Sequence, residues 1–165
     1  MTVCVPLRFE REFEVPARPD VVHALLADVP RSASHFPEVE RVVPLGDNSF
    51  RWEMHRHGIR GFSVQTIYAS QYESDARALR TSWRPIPEVG NARVSGHWQL
   101  RPHGTGTRVH FEFAADLDVS VPHFMERPLE GLVHFELTHL VDHYLTNLQA
   151  TIRGLADADA EARGL

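Results

Sequence analysis

The stretch Thr107-Arg108-Val109-His110-Phe111-Glu112-Phe113-Ala114-Ala115-Asp116-Leu117-Asp118-Val119 reads as one long strand. Val109, Phe111, Phe113, Ala115 and Leu117 point one way; Arg108, His110, Glu112, Ala114, Asp116 and Asp118 point the other. A period of two with one apolar side is the signature of a sheet with one face buried and one in water. Just upstream, Val94, Gly96, Trp98 and Leu100 oppose Arg93, Ser95, His97, Gln99 and Arg101 in the same way. The turn Pro102-His103-Gly104-Thr105-Gly106 joins the two segments as a hairpin. Further back, Phe50, Trp52 and Met54 oppose Arg51, Glu53, His55 and His57. Working outward, strands are expected at residues 40–45, 49–57, 62–72, 78–84, 92–101 and 107–119. Gly46-Asp47-Asn48, the pair Gly58 and Gly61, Asp75-Ala76 and the loop 85–91 separate them. Short strands between Gly/Asn/Asp turns make an antiparallel meander.

The flanks supply what covers the apolar face. Residues 7–15 form a first strand, stopped by Pro16 and Pro19. Val21, Val22, Leu25, Leu26 and Val29 then recur at helical spacing, predicting a helix over 19–28 that Pro30 ends. A second short helix over 31–36 is closed by Pro37. After Pro128, the stripe Leu129, Val133, Leu137, Leu140, Val141, Tyr144, Leu148 and Ile152 predicts a long helix over 129–155. The expected fold is α+β: a seven-stranded antiparallel sheet curved around a long C-terminal helix, with two short helices after the first strand. One domain over 7–155 is expected, with 1–6 and 156–165 as tails.

Composition removes whole classes of chemistry. The chain has 165 residues and a net charge of −5, which disfavours a nucleic-acid partner. No apolar run approaches the ~18 residues of a membrane-spanning helix, and residues 1–6 lack the basic and apolar regions of a signal peptide. A cytoplasmic location is therefore expected. Cys4 is the single cysteine, which excludes an internal disulfide and a multi-cysteine zinc site. All 17 basic residues are arginine, so a Schiff-base lysine and a Walker A lysine are excluded. There is no GxSxG, HExxH or GxGxxG motif. No cofactor is expected.

Two motifs carry a family resemblance. Phe13-Glu14-Val15-Pro16-Ala17-Arg18-Pro19-Asp20-Val21-Val22 is similar to the strand-to-helix junction of polyketide cyclases. Asp28-Val29-Pro30 followed by Phe36-Pro37-Glu38-Val39-Glu40-Arg41-Val42 is similar to their second helix and strand. Over about residues 7–155 the chain resembles the START-like, Bet v 1-like (SRPBCC) superfamily, closest to its polyketide cyclase/dehydrase and coenzyme Q-binding branch. The resemblance implies a helix-grip fold around a cavity for an apolar ligand. It carries over no catalytic residue, since fold does not fix function.

The residues themselves offer ligand-binding candidates. Trp52, Trp98, Phe111 and Phe113 lie on the inward phase, joined by Trp83, Tyr68 and, from the long helix, Tyr144. Either these rings fill a core, or they wall a cavity with a few polar anchors. Arg56, Thr66, Tyr68, Thr81 and Tyr144 are the anchors on inferred inward positions. The pocket is expected to open near loop 85–91, the turn at Gly58 and the segment 120–125, where Val121, Phe124 and Met125 offer apolar surface. His55, His57, His97 and His110 fall on the wet face. His139 and His143, four apart on the helix beside Glu136, have a spacing that could share a metal, but they border its polar side, and no metal site is expected. With no acid/base pair on the inward list, binding or transport of a lipid, isoprenoid quinone or aromatic polyketide is favoured over a cyclase or dehydratase. The protein is expected to be a monomer or homodimer.

Overall fold

The computed structural model describes residues 2–59 and 61–164. Strand β1 (Thr2–Val15) leads into helices α1 (Pro19–Ala27) and α2 (Val29–Ala33). Strands β2 (Val39–Gly46), β3 (Ser49–Met54), β4 (His57–Ile59), β5 (Phe62–Val64), β6 (Ile67–Asp75), β7 (Arg80–Pro85), β8 (Ala92–His103) and β9 (Gly106–Ser120) follow. A 3-10 turn (His123–Met125) opens helix α3 (Glu126–Ala162). Among the described residues, seven strands form one antiparallel sheet in the order β1-β9-β8-β7-β6-β3-β2, and β4 pairs only with β5. This is the expected helix-grip architecture. No helix among the described residues is long and apolar enough to cross a membrane.

Closing the sheet with β1 beside β9 places the chain's two longest strands together, paired from Thr2↔Ser120 to Val15↔Thr107. The edges are β1 and β2, and each carries a proline, Pro6 and Pro44. Proline blunts an edge because it has no N–H to offer a further strand. The alternation holds: Val109, Phe111, Ala115, Leu117, Val94, Trp98 and Leu100 are all buried. Each of the larger side chains contributes about 1.5–3 kcal/mol of hydrophobic stabilisation. Glu53 departs from the pattern. Although on the wet side, it is buried because Arg41 of the neighbouring strand clasps its carboxylate.

Several boundaries differ from those expected, for local reasons. Segments 49–57 and 62–72 do not run as unbroken strands. The ladder between β3 and β6 stops at Glu53↔Ile67, and the chain beyond separates into the β4–β5 hairpin. Gln65 Nε2 donates to the Met54 carbonyl at 3.0 Å, and the His55 N–H goes to Glu38 O at 2.7 Å, so the backbone is satisfied outside the main ladder. Pro30 does not end α1 but sits in the first turn of α2, which Asp28 caps through the Arg31 N–H at 3.2 Å. The outer segments are parts of elements: β1 begins at Thr2, and α3 passes Gly154 to reach Ala162. Arg18 holds that last stretch by a two-bond pair to Asp159 at 3.1 and 3.2 Å. Met1 and Leu165, in the expected tails, and Arg60, in the expected turn, lie outside the described residues.

Candidate functional site: a divided cavity under the long helix

Helix α3 changes character along its length. Val141, Tyr144, Leu145, Leu148 and Ile152 are buried, whereas Leu132, Val133, Leu137 and Leu140 are only half-buried. The sheet beneath explains the difference. Under the C-terminal half stand the large rings of Trp52, Trp83, Trp98 and Phe111; the Trp98 and Tyr144 rings are 6.2 Å apart and Trp98 and Phe111 4.4 Å. Under the N-terminal half the inward side chains are Leu7, Ala92, Val94, Ala115 and Leu117. Small side chains leave the space unfilled, and a cavity of about 400 Å³ results. That size falls within the range of ligand pockets.

Two chambers meet at Phe36, Tyr68 and Phe113, which line both. The inner chamber, about 50 Å³, is walled by the aromatic set and by Leu26, Val29 and Ser32 from the short helices. Its polar groups are hydroxyls and indole N–H groups, every one of which can donate a hydrogen bond. Ser32 Oγ and Tyr144 Oη share a 2.5 Å hydrogen bond. Burial raises the Tyr68, Tyr72 and Tyr144 phenols well above their ordinary range, so all three remain protonated. The Trp52 indole Nε1 is buried and interacts with the Tyr72 hydroxyl outside normal hydrogen-bond geometry, leaving it without a proper acceptor. Such a donor is costly to leave unpaired.

The outer chamber opens where its lining becomes exposed, at His57, Gly58 and Glu136, with the half-buried Glu38 beside them. His57 Nε2 stands 3.4 Å from Glu38 Oε2, an imidazole–carboxylate pair on the cavity wall. Met54, Val64 and Thr66 complete that side.

The structure brings most of the expected residues together. Trp52, Trp83, Trp98, Phe111 and Tyr144 surround the inner chamber, Thr66 the outer one, and Tyr68 and Phe113 both. Three do not join them. Arg56 turns out to the surface, where it donates to Ser63 Oγ at 3.3 Å and Gln65 Oε1 at 3.2 Å. The end of β3 at Met54 breaks the alternation that placed it inward. Thr81 is buried but spends its hydroxyl on Ser74 Oγ at 3.0 Å, away from either chamber. Phe124 is 75% exposed in the 3-10 turn.

The mouth also differs. Of the three segments expected to frame it, only the turn at Gly58 does so. The loop before β8 is stitched to β6, with Asn91 Nδ2 donating to Gln65 O at 3.0 Å and Asn91 Oδ1 accepting from the Ile67 N–H at 2.9 Å. Val121 and Met125 are packed in the core. The residues missed from sequence are Glu38, His57 and Glu136 at the mouth, and Ala92, Val94 and Ala115 on the floor. The small floor residues carry a readable signal: alternation places Val94 and Ala115 inward, and Ala92 shares the phase of Val94.

Solved structures bear out the architecture. A protein of Thermus thermophilus shares 26% identity at a TM-score of 0.64, over 91% of this chain and 98% of its own. The Zhui aromatase/cyclase of Streptomyces sp. R1128 matches at 17% identity and a TM-score of 0.60, covering 96% of this chain and 98% of the other. A START superfamily protein of Mycobacterium smegmatis matches at 15% identity and a TM-score of 0.62, over 90% of this chain and 98% of the other. No curated protein matches the chain significantly. The family described as polyketide cyclase / dehydrase and lipid transport matches residues 6–144, from β1 through the buried Tyr144 of α3, and the chain belongs to that family.

Proposed function

We propose that this protein binds and carries an apolar small molecule in the cavity between its sheet and α3. The observation that carries the reading is the 400 Å³ chamber floored by Leu7, Ala92, Val94, Ala115 and Leu117 and roofed by half-buried α3 leucines. Apolar surface of this kind gains from any ligand that removes it from water. The inner chamber narrows the class. An end lined by hydroxyls and by a Trp52 N–H whose contact with Tyr72 falls short of good hydrogen-bond geometry fits a carbonyl, quinone or similar acceptor oxygen reaching past Tyr68. Isoprenoid quinones, aromatic polyketides and lipids with a carbonyl head meet both demands. The test is saturable binding of a neutral apolar dye, N-phenyl-1-naphthylamine, with mass spectrometry of compounds extracted from the native protein. One displaceable site per chain is expected; no saturable binding to any lipid, quinone or aromatic compound would overturn the reading.

One observation favours a second reading, a cyclase- or dehydratase-type enzyme using the same cavity. The Glu38–His57 pair on the wall is an acid/base couple within reach of a bound chain. Turnover of a poly-β-ketone analogue that His57→Asn abolishes while dye binding persists would carry it. Equal turnover in wild type and His57→Asn would remove it.

A further inference from the structure

The convex face of the sheet, opposite the cavity, holds a second cluster. His97 of β8 stands directly across from Glu112 of β9, and His110 precedes Glu112 by two residues on the same face. His110 Nε2 lies 3.1 Å from Glu112 Oε1, and His97 Nδ1 lies 3.7 Å from Glu112 Oε2. The carboxylate thus offers one oxygen to each imidazole. The two rings are 5.8 Å apart between centroids and inclined by 33°. One ligand atom from each of the three residues falls within 4.8 Å of the other two.

We propose that His97, His110 and Glu112 form a site for one divalent transition-metal ion of the zinc, cobalt or nickel class, clamping β8 to β9. Two imidazole nitrogens and a carboxylate oxygen are the donor set of such ions, whereas magnesium and calcium take oxygen alone. Ligand bonds of about 2.0–2.2 Å in a tetrahedral shell put donor atoms about 3.4 Å apart. The two nitrogen–oxygen spacings, 3.1 and 3.7 Å, lie on either side of that value.

The surroundings set the strength. From β1, Glu10 Oε1 lies 3.7 Å from His110 Nε2 and Glu12 Oε2 3.9 Å from His110 Nδ1, placed to orient that ring or complete the shell. From β7, Arg80 opposes a cation, and Arg101 lines the same depression. Arg108 is held by Glu12 at 3.4 Å and Glu14 at 2.9 Å. Mixed charge of this kind fits micromolar rather than structural-zinc affinity, and removing Arg80 should tighten it.

The test uses tag-free, chelator-stripped protein titrated with Zn²⁺ by calorimetry and with Co²⁺ by visible absorption. One equivalent is expected, weakened about tenfold or more in each of His97→Gln and His110→Gln, tightened in Arg80→Ala, and unchanged in His139→Gln/His143→Gln. Because the first two variants alter a strand, the ring resonances of wild-type protein supply an independent readout: His97 and His110 should move with Zn²⁺ while the helix histidines stay. Absence of binding up to millimolar Zn²⁺ would overturn the proposal. So would binding that survives His97→Gln/His110→Gln and disappears in His139→Gln/His143→Gln.

Discussion

Replacing Ala115 by leucine separates an open cavity from a packed core by the sign of its effect. Ala115 is buried at the centre of β9, between Leu7 of β1 and Val94 of β8, and its methyl forms part of the chamber floor. Leucine adds three carbons. If they enter empty apolar space, each gains about 0.8 kcal/mol, so Ala115→Leu stabilises by up to about 2 kcal/mol. For a chain of this size that corresponds to a rise in Tm of about 4–8 °C. If the space were already filled, the same carbons would overpack it and cost about 1–3 kcal/mol. The leucine also occupies ligand volume, so the affinity for N-phenyl-1-naphthylamine should fall about tenfold or more, equivalent to about 1.4 kcal/mol. Urea unfolding with unchanged m and a dye titration on the same preparation give both numbers. A destabilised variant that binds dye as well as wild type would refute the reasoning, because the floor would then be solid and the dye elsewhere.

Other outcomes follow from neighbouring contacts. Trp98→Ala removes a ring that is 3% exposed, and should cost about 3–5 kcal/mol in urea unfolding while enlarging the inner chamber. Ser32→Ala strands the Tyr144 hydroxyl and should cost about 1–3 kcal/mol, with Ser32→Ala/Tyr144→Phe less damaging than the sum of the single changes. Gly96→Ala would drive its methyl into the Glu112 carbonyl and to 2.6 Å from the Trp83 ring, so it should destabilise by more than about 1 kcal/mol or prevent folding. Arg93 lowers the Asp118 pKa, so that pair stabilises the fold above the unfolded-state value near 4 and the contribution is lost as pH falls through the lower folded value. Wild type and Asp118→Asn should therefore differ in Tm at pH 7, less so at high salt, and converge under acid.

The fold was legible because both of its periodicities were clean. Period two in β8 and β9 and the helical stripe of α3 each leave one apolar face, and those faces have only each other to cover them. The site was legible in part. Aromatic inward residues attract attention, yet the large rings of Trp52, Trp83, Trp98 and Phe111 leave only about 50 Å³ at their end of the interior, and most of the free volume lies over Ala92, Val94 and Ala115. Alternation alone places Arg56 inward because it does not announce where a ladder ends, and the break after Met54 depends on bonds with Gln65 and Glu38 that lie elsewhere in the chain. Read one strand at a time, His97 and His110 are simply solvated. Their convergence on Glu112 depends on register, which the two-residue loop Gly104-Thr105 sets: counting back from His103↔Gly106 puts His97 opposite Glu112.

The proposed carrier function requires an apolar ligand between α3 and the small-residue floor of the sheet. Its most direct test is a crystal structure of the protein with an alkyl-substituted 1,4-naphthoquinone. The alkyl chain is expected between Ala115 and Leu137, with a quinone oxygen within hydrogen-bond distance of Trp52 Nε1. A naphthoquinone bound only on the outer surface, above an interior closed by side chains, would contradict it.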